Sequence, residues 1–123
     1  MFSAKNPINT KLILDASAFH FYPIWEVQNF ECIKINEIVI INAALFCNGQ
    51  INANTNYTMT SAPIDNKVIP VSAIRIIGNA CDSDFGNTVC ANLYFDGNNY
   101  LKINFPNGNC RYIAFSCTYR TQN

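Results

Sequence analysis

Two carboxylates stand close together in the chain, at Asp82 and Asp84, within a loop-like run from Gly78 to Asn87. Paired carboxylates serve glycoside hydrolysis or calcium binding. A calcium loop usually supplies further oxygen ligands at fixed spacing, and only Asn79 and Asn87 lie near this pair. The pattern favours a solvated loop, ahead of a ligand or receptor contact and of a metal site.

Other catalytic chemistry has few residues to use. A catalytic triad needs a base, usually histidine, and the chain has one histidine, His20, in its least periodic part. No Cys-x-x-Cys pair occurs, the cysteine spacings do not fit a zinc site, and the five glycines form no phosphate-binding loop. We therefore expect no catalytic residue, no metal site and no cofactor, and a protein that is not an enzyme.

Six cysteines occur at Cys32, Cys47, Cys81, Cys90, Cys110 and Cys117. Several occupy strand-like positions where Val or Ala would fit, so we interpret them as free, buried, small hydrophobic residues. Cys81 with Cys90 is the one pair that we consider for a hairpin-loop disulfide.

The composition restricts the partners. The 123 residues fit one domain. Only 13% are charged, against about 25% in typical domains, whereas asparagine occurs 19 times. Net charge is zero and no basic stripe is visible, which argues against nucleic-acid binding. No apolar run approaches the ~20 residues of a membrane span, and residues 1–5 do not read as a signal peptide.

From Phe30 onward the hydrophobic pattern has a period of two. The strongest example is Glu37–Cys47, which is apolar on both faces of the predicted strand and therefore needs a cover on both sides. One cover is the core of the domain, and the other is a second sheet or a neighbouring subunit. The two faces are Val39, Ile41, Ala43, Leu45 and Cys47 on one side, and Ile38, Ile40, Asn42, Ala44 and Phe46 on the other.

Shorter strands and turns complete the pattern. We predict strands at Lys11–Asp15, Tyr57–Ala62 and Ala73–Ile77, three further strands whose inward residues include Leu93, Ile103 and Phe115, a hairpin turn at Asn48-Gly49, and tight turns at 96–99 and 106–109. About seven or eight strands with regular turns are typical of an all-β, antiparallel β-sandwich or jelly roll. Residues 1–29 are interpreted as a linker or collar, and residues 30–123 as the β-domain.

Three tyrosines are predicted on the outward face of the last strands. Tyr94, Tyr100 and Tyr112 interleave with Asn92, Lys102 and Arg111. Exposed rings and amides suit sugar binding, because rings pack on apolar sugar faces and amides bond hydroxyls. Cross-strand stabilisation or a subunit contact is the reading we favour.

The segments follow one another in a recognisable order. The series is a short strand at Phe30–Asn36, a long apolar strand ending in a polar turn at Glu37–Gly49, a segment leading to a proline at Asn56–Pro63, a second proline at Pro70, a strand with a tight turn at Leu93–Gly97, and a closing strand ending in Tyr-x-Thr at Phe115–Thr121. This series resembles the C-terminal head domains of tail fibres and minor structural proteins of phages and prophages from Gram-positive hosts.

The resemblance implies a jelly-roll-like receptor-binding head at the virion tail, made in the host cytoplasm. It further implies a homotrimer that attaches to a glycan or protein on the host cell surface. The two apolar faces of Glu37–Cys47 and the zero net charge point independently to buried subunit contacts. The family motifs specify no receptor contact, so our candidates are polar loop residues: Asp82, Asp84, Asn87, Asn98, Asn99 and Tyr100.

Two other functions stay open. One is a bacterial lectin-like carbohydrate-binding module outside any phage context, which a monomer with an exposed aromatic platform would favour. The other is a structural virion protein that binds no host ligand. A small glycan hydrolase ranks last, since it needs a second carboxylate converging on Asp82 or Asp84.

Overall fold

The computed structural model describes residues 10–82 and 88–122. Its strands are β1 (Lys11–Leu14), β2 (Trp25–Ile35), β3 (Ile38–Cys47), β4 (Asn56–Thr58), β5 (Arg75–Cys81), β6 (Thr88–Phe95), β7 (Leu101–Asn104) and β8 (Tyr112–Arg120), with short 3₁₀ turns at Ala16–Ala18 and Asn66–Val68. All pairings are antiparallel, in the order β1-β2-β3-β8-β5-β6-β7-β4. The predicted all-β, antiparallel class and the number of strands are confirmed. No helix in the described part of the chain is long and apolar enough to span a membrane.

The alternation of side chains decides which face of each strand forms the core. The face of β3 that carries Val39, Ile41 and Leu45 is fully buried, as its period of two predicts. The inward residues of β6, β7 and β8 are buried likewise, except that Val89 and Cys117 are half-buried. The other face of β3, predicted to need a cover, is half-exposed apart from an exposed Asn42.

The eight strands form one sheet that bends between β8 and β5. These two strands pair only through Asn79–Cys81 and Tyr112–Ala114, and then separate. Rings from the two halves of the sheet meet across the core: Trp25 stacks on Phe105 at 6.2 Å, and Phe95 packs against Tyr119 at 5.9 Å between ring centroids. The halves β1-β2-β3-β8 and β5-β6-β7-β4 therefore share one core, held mainly by burial of apolar side chains.

Gly78 lies where β5 begins to separate from β8. A Cβ atom at this position would lie 2.5 Å from Cδ1 of Ile113, 3.0 Å from Cδ1 of Leu93 and 3.2 Å from the carbonyl oxygen of Ala114. The close approach of the two strands therefore requires glycine here.

The segment before Phe30 packs with the rest of the domain. The predicted strand at Lys11 is confirmed as β1, which pairs with the end of β2. Asp15 caps the following 3₁₀ turn by accepting a hydrogen bond from the amide of Ser17. Phe19 is fully buried, and Trp25 is 4% exposed. Residues 10–29 thus contribute to the sheet and the core, and the predicted boundary at Phe30 falls inside β2.

Three local predictions were wrong. The run predicted as loop from Gly78 is strand as far as Cys81, because it pairs with both β6 and β8. The strand predicted at Tyr57–Ala62 is only Asn56–Thr58. Asn48-Gly49 ends β3 but forms no hairpin, since β3 pairs with β2 and β8.

The cysteines mostly follow the sequence interpretation. All six are free, and Cys32, Cys47 and Cys110 are buried. Cys81 and Cys90 share the outer face of β5 and β6, but their strand partners are Thr88 and Asn79, so they stand diagonally and not opposite each other. The disulfide considered for this pair is not formed.

Candidate functional site

The predicted loop residues that the structure describes lie in two separate places. Asp82 directly follows β5, whereas Asp84 and Asn87 lie outside the described residues. Asn98, Asn99 and Tyr100 belong to the turn between β6 and β7. The eight residues of β6 separate Asp82 from that turn by roughly 25 Å at about 3.3 Å per residue.

The β6–β7 turn is organised by its own side chain. The carboxylate of Asp96 accepts hydrogen bonds from the backbone amides of Asn98 at 2.9 Å and Tyr100 at 3.0 Å. Asn99 adopts a left-handed conformation with φ of 68°, which asparagine tolerates better than most residues. These bonds explain the turn without any ligand.

Of the three tyrosines predicted to face outward, Tyr94 lies on the outer face of β5, β6 and β7, whereas Tyr100 belongs to the β6–β7 turn and Tyr112 to β8. The guanidinium of Arg75 lies 6.0 Å from the ring centroid of Tyr94, and the ammonium of Lys102 donates a 2.6 Å hydrogen bond to the hydroxyl of Thr58. In the next row, the Asn104 amide donates to the side-chain oxygen of Asn56 at 2.9 Å. These contacts fit the predicted cross-strand stabilisation.

A groove lies on the outer face where β8 meets β5. Cross-strand pairing sets Ala44 opposite Ala114, and Ala114 opposite Asn79. Two adjoining concavities, of about 360 and 370 Å³, share these three residues. The floor is low because two neighbouring strands both present alanine there. We call this feature the amide groove, after the asparagines along it.

Amide and hydroxyl side chains line most of the rim of the amide groove, together with the exposed Ile77 of β5. A β-bulge in β2, between Val27 and Asn29, places Gln28 and Asn29 at one side; bulges often redirect side chains next to binding sites. The hydroxyl of Ser116 donates to the side-chain oxygen of Asn42, which leaves the amide nitrogen of Asn42 as a donor. Within the described residues, the side-chain amides of Asn29 and Asn79 form no hydrogen bond.

One end of the groove is aromatic. Tyr112 lines the larger concavity, and its ring packs against Phe46 with centroids 4.9 Å apart. Cys81 lines the same concavity, and burial, with a smaller effect from the charge of Asp82, raises the pKa of its thiol. The thiol is therefore neutral at pH 7.

Sequence reasoning identified Tyr112 but missed the groove. The residues that form it lie far apart in the chain, and only the register of β2, β3, β8 and β5 brings them together. The sequence held one signal for the groove: Ala44 and Ala114 are small residues within strands of larger side chains. Nothing in the sequence, however, shows that these two alanines lie opposite each other.

His20 belongs to a different, shallow concavity that Asp15, Ser17 and Asp65 also line. The hydroxyl of Ser17 donates to the carboxylate of Asp15, and the ring of His20 has no hydrogen-bond partner among the described residues. This is not the serine–histidine–aspartate geometry of a triad. Nor do the described residues contain a cluster of three potential metal ligands from His, Cys, Asp and Glu.

Comparison of the chain with models of protein families and with curated proteins finds no match.

Proposed function

We propose that this domain is a non-catalytic receptor-binding head, which attaches to a saccharide or protein on a bacterial surface. The single observation that carries the proposal is the amide groove, because the register of the sheet gathers the exposed side-chain amides of Asn29, Asn42 and Asn79 around one concavity. The resemblance to phage tail-fibre heads supplies the setting, a virion tail that recognises a Gram-positive host.

The composition of the groove favours binding over catalysis. General acid–base catalysis uses a positioned side chain that exchanges protons near neutral pH. Within residues 10–82 and 88–122, no carboxylate and no histidine line either concavity. The side chains there instead offer hydrogen-bond donors and acceptors without a charge to move.

A homotrimer is part of the same proposal. The outer face of β1, β2 and β3 carries five isoleucines in adjoining cross-strand positions, which we call the isoleucine face: Ile13, Ile33, Ile35, Ile38 and Ile40. Ile13 is 70% exposed and Ile35 38%. A contiguous apolar surface of this kind is typical of a subunit contact, and three copies would raise the avidity for a repetitive surface ligand.

Binding of the labelled protein to whole bacteria tests the proposal. Fluorescent protein would be incubated with a panel of Gram-positive strains and read by flow cytometry. We expect saturable binding to some strains, weakened by Asn79→Ala in the groove and unchanged by Asn56→Ala on the far half of the same sheet. Failure to bind any strain, or equal loss in both variants, would count against the proposal.

A further inference from the structure

We infer that the amide groove binds a neutral glycan, in preference to an anionic polymer or a folded protein. This inference rests on the proposed binding function and specifies the ligand class of the same site.

The charge of the groove favours a neutral ligand. Among the described residues, neither concavity is lined by Lys, Arg, Asp or Glu. Recognition of phosphate or carboxylate groups normally uses arginine or lysine, because charge-assisted hydrogen bonds are the strong ones. An anionic polymer would have to give up its hydration in this groove without gaining an ion pair.

The hydrogen-bonding groups of the groove also match those of a sugar. A sugar hydroxyl both donates and accepts a hydrogen bond, and so needs partners of both kinds. The amides of Asn29, Asn42 and Asn79 each offer an NH₂ donor and a carbonyl acceptor, and the hydroxyl of Ser116 adds another group. A hydroxyl-rich ligand can satisfy these groups, whereas an apolar ligand would leave them buried and unpaired.

The shape of the groove also suits a sugar. The floor at Ala44 and Ala114 is apolar, and the rim carries amide and hydroxyl groups beside the exposed Ile77, so apolar and polar surface lie together as they do on a pyranose ring. The two concavities join end to end through shared residues, which suits a chain of sugars. Tyr112 lines the larger concavity at its aromatic end, and aromatic residues are common where sugars bind.

A glycan array with paired probes tests the inference. Neutral hexose and N-acetylhexosamine oligosaccharides would be printed beside versions of the same oligosaccharides that carry phosphate or uronate groups. We expect the intact chain to bind neutral probes, and Ala44→Leu, which fills the half-exposed floor from outside the core, to weaken that binding at least tenfold. Asn56→Ala serves as the matched control, and thermal melting confirms that each variant is folded.

A gain-of-function variant checks the charge argument separately. Ser116→Lys places a cation at the exposed side of the groove, so anionic probes should bind this variant at low salt and not the parent chain. Parent binding to anionic probes alone, or neutral binding that Ala44→Leu leaves unchanged, would overturn the inference. Absence of binding to any probe on the array would also overturn the inference. If the protein then still bound whole bacteria, and Asn79→Ala still weakened that binding, the proposed function would stand and the receptor would be a protein.

Discussion

At the scale of single residues, Gly78 has the most sharply defined role. The three atoms nearest to a Cβ atom at this position belong to core side chains or to the backbone of β8. Rotation of a surface side chain therefore cannot make room for a methyl group here. We predict that Gly78→Ala lowers the free energy of unfolding by about 1–3 kcal/mol, the usual cost of overpacking. Urea titration followed by circular dichroism measures this change.

Gly97 provides the matched control for this prediction. A Cβ atom there would meet no atom within 4 Å, and its φ is not in the left-handed region. Gly97→Ala should therefore leave stability unchanged within about 0.5 kcal/mol, as at most surface positions. Equal stability of the Gly78→Ala variant and the parent would mean that β5 and β8 are less closely packed than described.

At the scale of elements, the sequence predicted which face of each strand is buried better than it predicted which strands are neighbours. The buried residues of β3, β6, β7 and β8 follow a period of two, which is a local property that the sequence displays directly. The burial of Phe19 was missed, because it lies in irregular chain where no period marks the core. The amide groove was missed for a related reason: Ala44, Ala114 and Asn79 become neighbours only through register.

The strand positions of two cysteines predict a pH dependence. Cys32 on β2 and Cys117 on β8 both pair with Ile41 of β3, with their side chains toward the core. Burial, with a smaller effect from Asp65, raises the pKa of the Cys32 thiol from 9.0 to about 11. Burial, with a smaller effect from Cys32, raises the pKa of the Cys117 thiol from 9.0 to about 12. Both thiols are thus neutral in the folded protein at pH 10.

The sign of the effect follows from proton binding. Between pH 9 and about 11 to 12, the unfolded chain has lost these protons while the folded chain keeps them, so stability falls as pH rises. We predict a steady decrease of the urea midpoint above pH 9, and a smaller decrease in the double variant Cys32→Ala/Cys117→Ala. Between pH 6 and 8 the two proteins should differ by a constant amount. Parallel curves above pH 9 would contradict the assignment to these thiols.

At the scale of the whole molecule, the two halves of the sheet have different outer surfaces. The half formed by β1, β2 and β3 presents the isoleucine face. The outer face of β5, β6 and β7 presents mainly asparagine, tyrosine and charged side chains, with Ile77 as an exposed apolar residue. The amide groove adjoins the isoleucine face, because Asn42 and Ile40 lie two residues apart on the same face of β3. The proposed subunit contact would therefore border the proposed ligand site.

The proposed homotrimer can be tested by measuring the mass of the protein in solution. Light scattering on a size-exclusion column should give a mass near three times 13.8 kDa. Ile13→Lys should reduce it to the monomer mass, because a lysine in the isoleucine face would have to be buried unpaired. Ile77→Lys is the matched control: Ile77 is 69% exposed, close to the 70% of Ile13, but lies on the other half of the sheet. If Ile77→Lys lost the trimer and Ile13→Lys kept it, the subunit contact would lie on the half of the sheet that contains β5 and not on the isoleucine face. A monomeric parent chain would instead favour the lectin-like module acting as a single domain, since the isoleucine face would then stand open to solvent without a second copy to cover it.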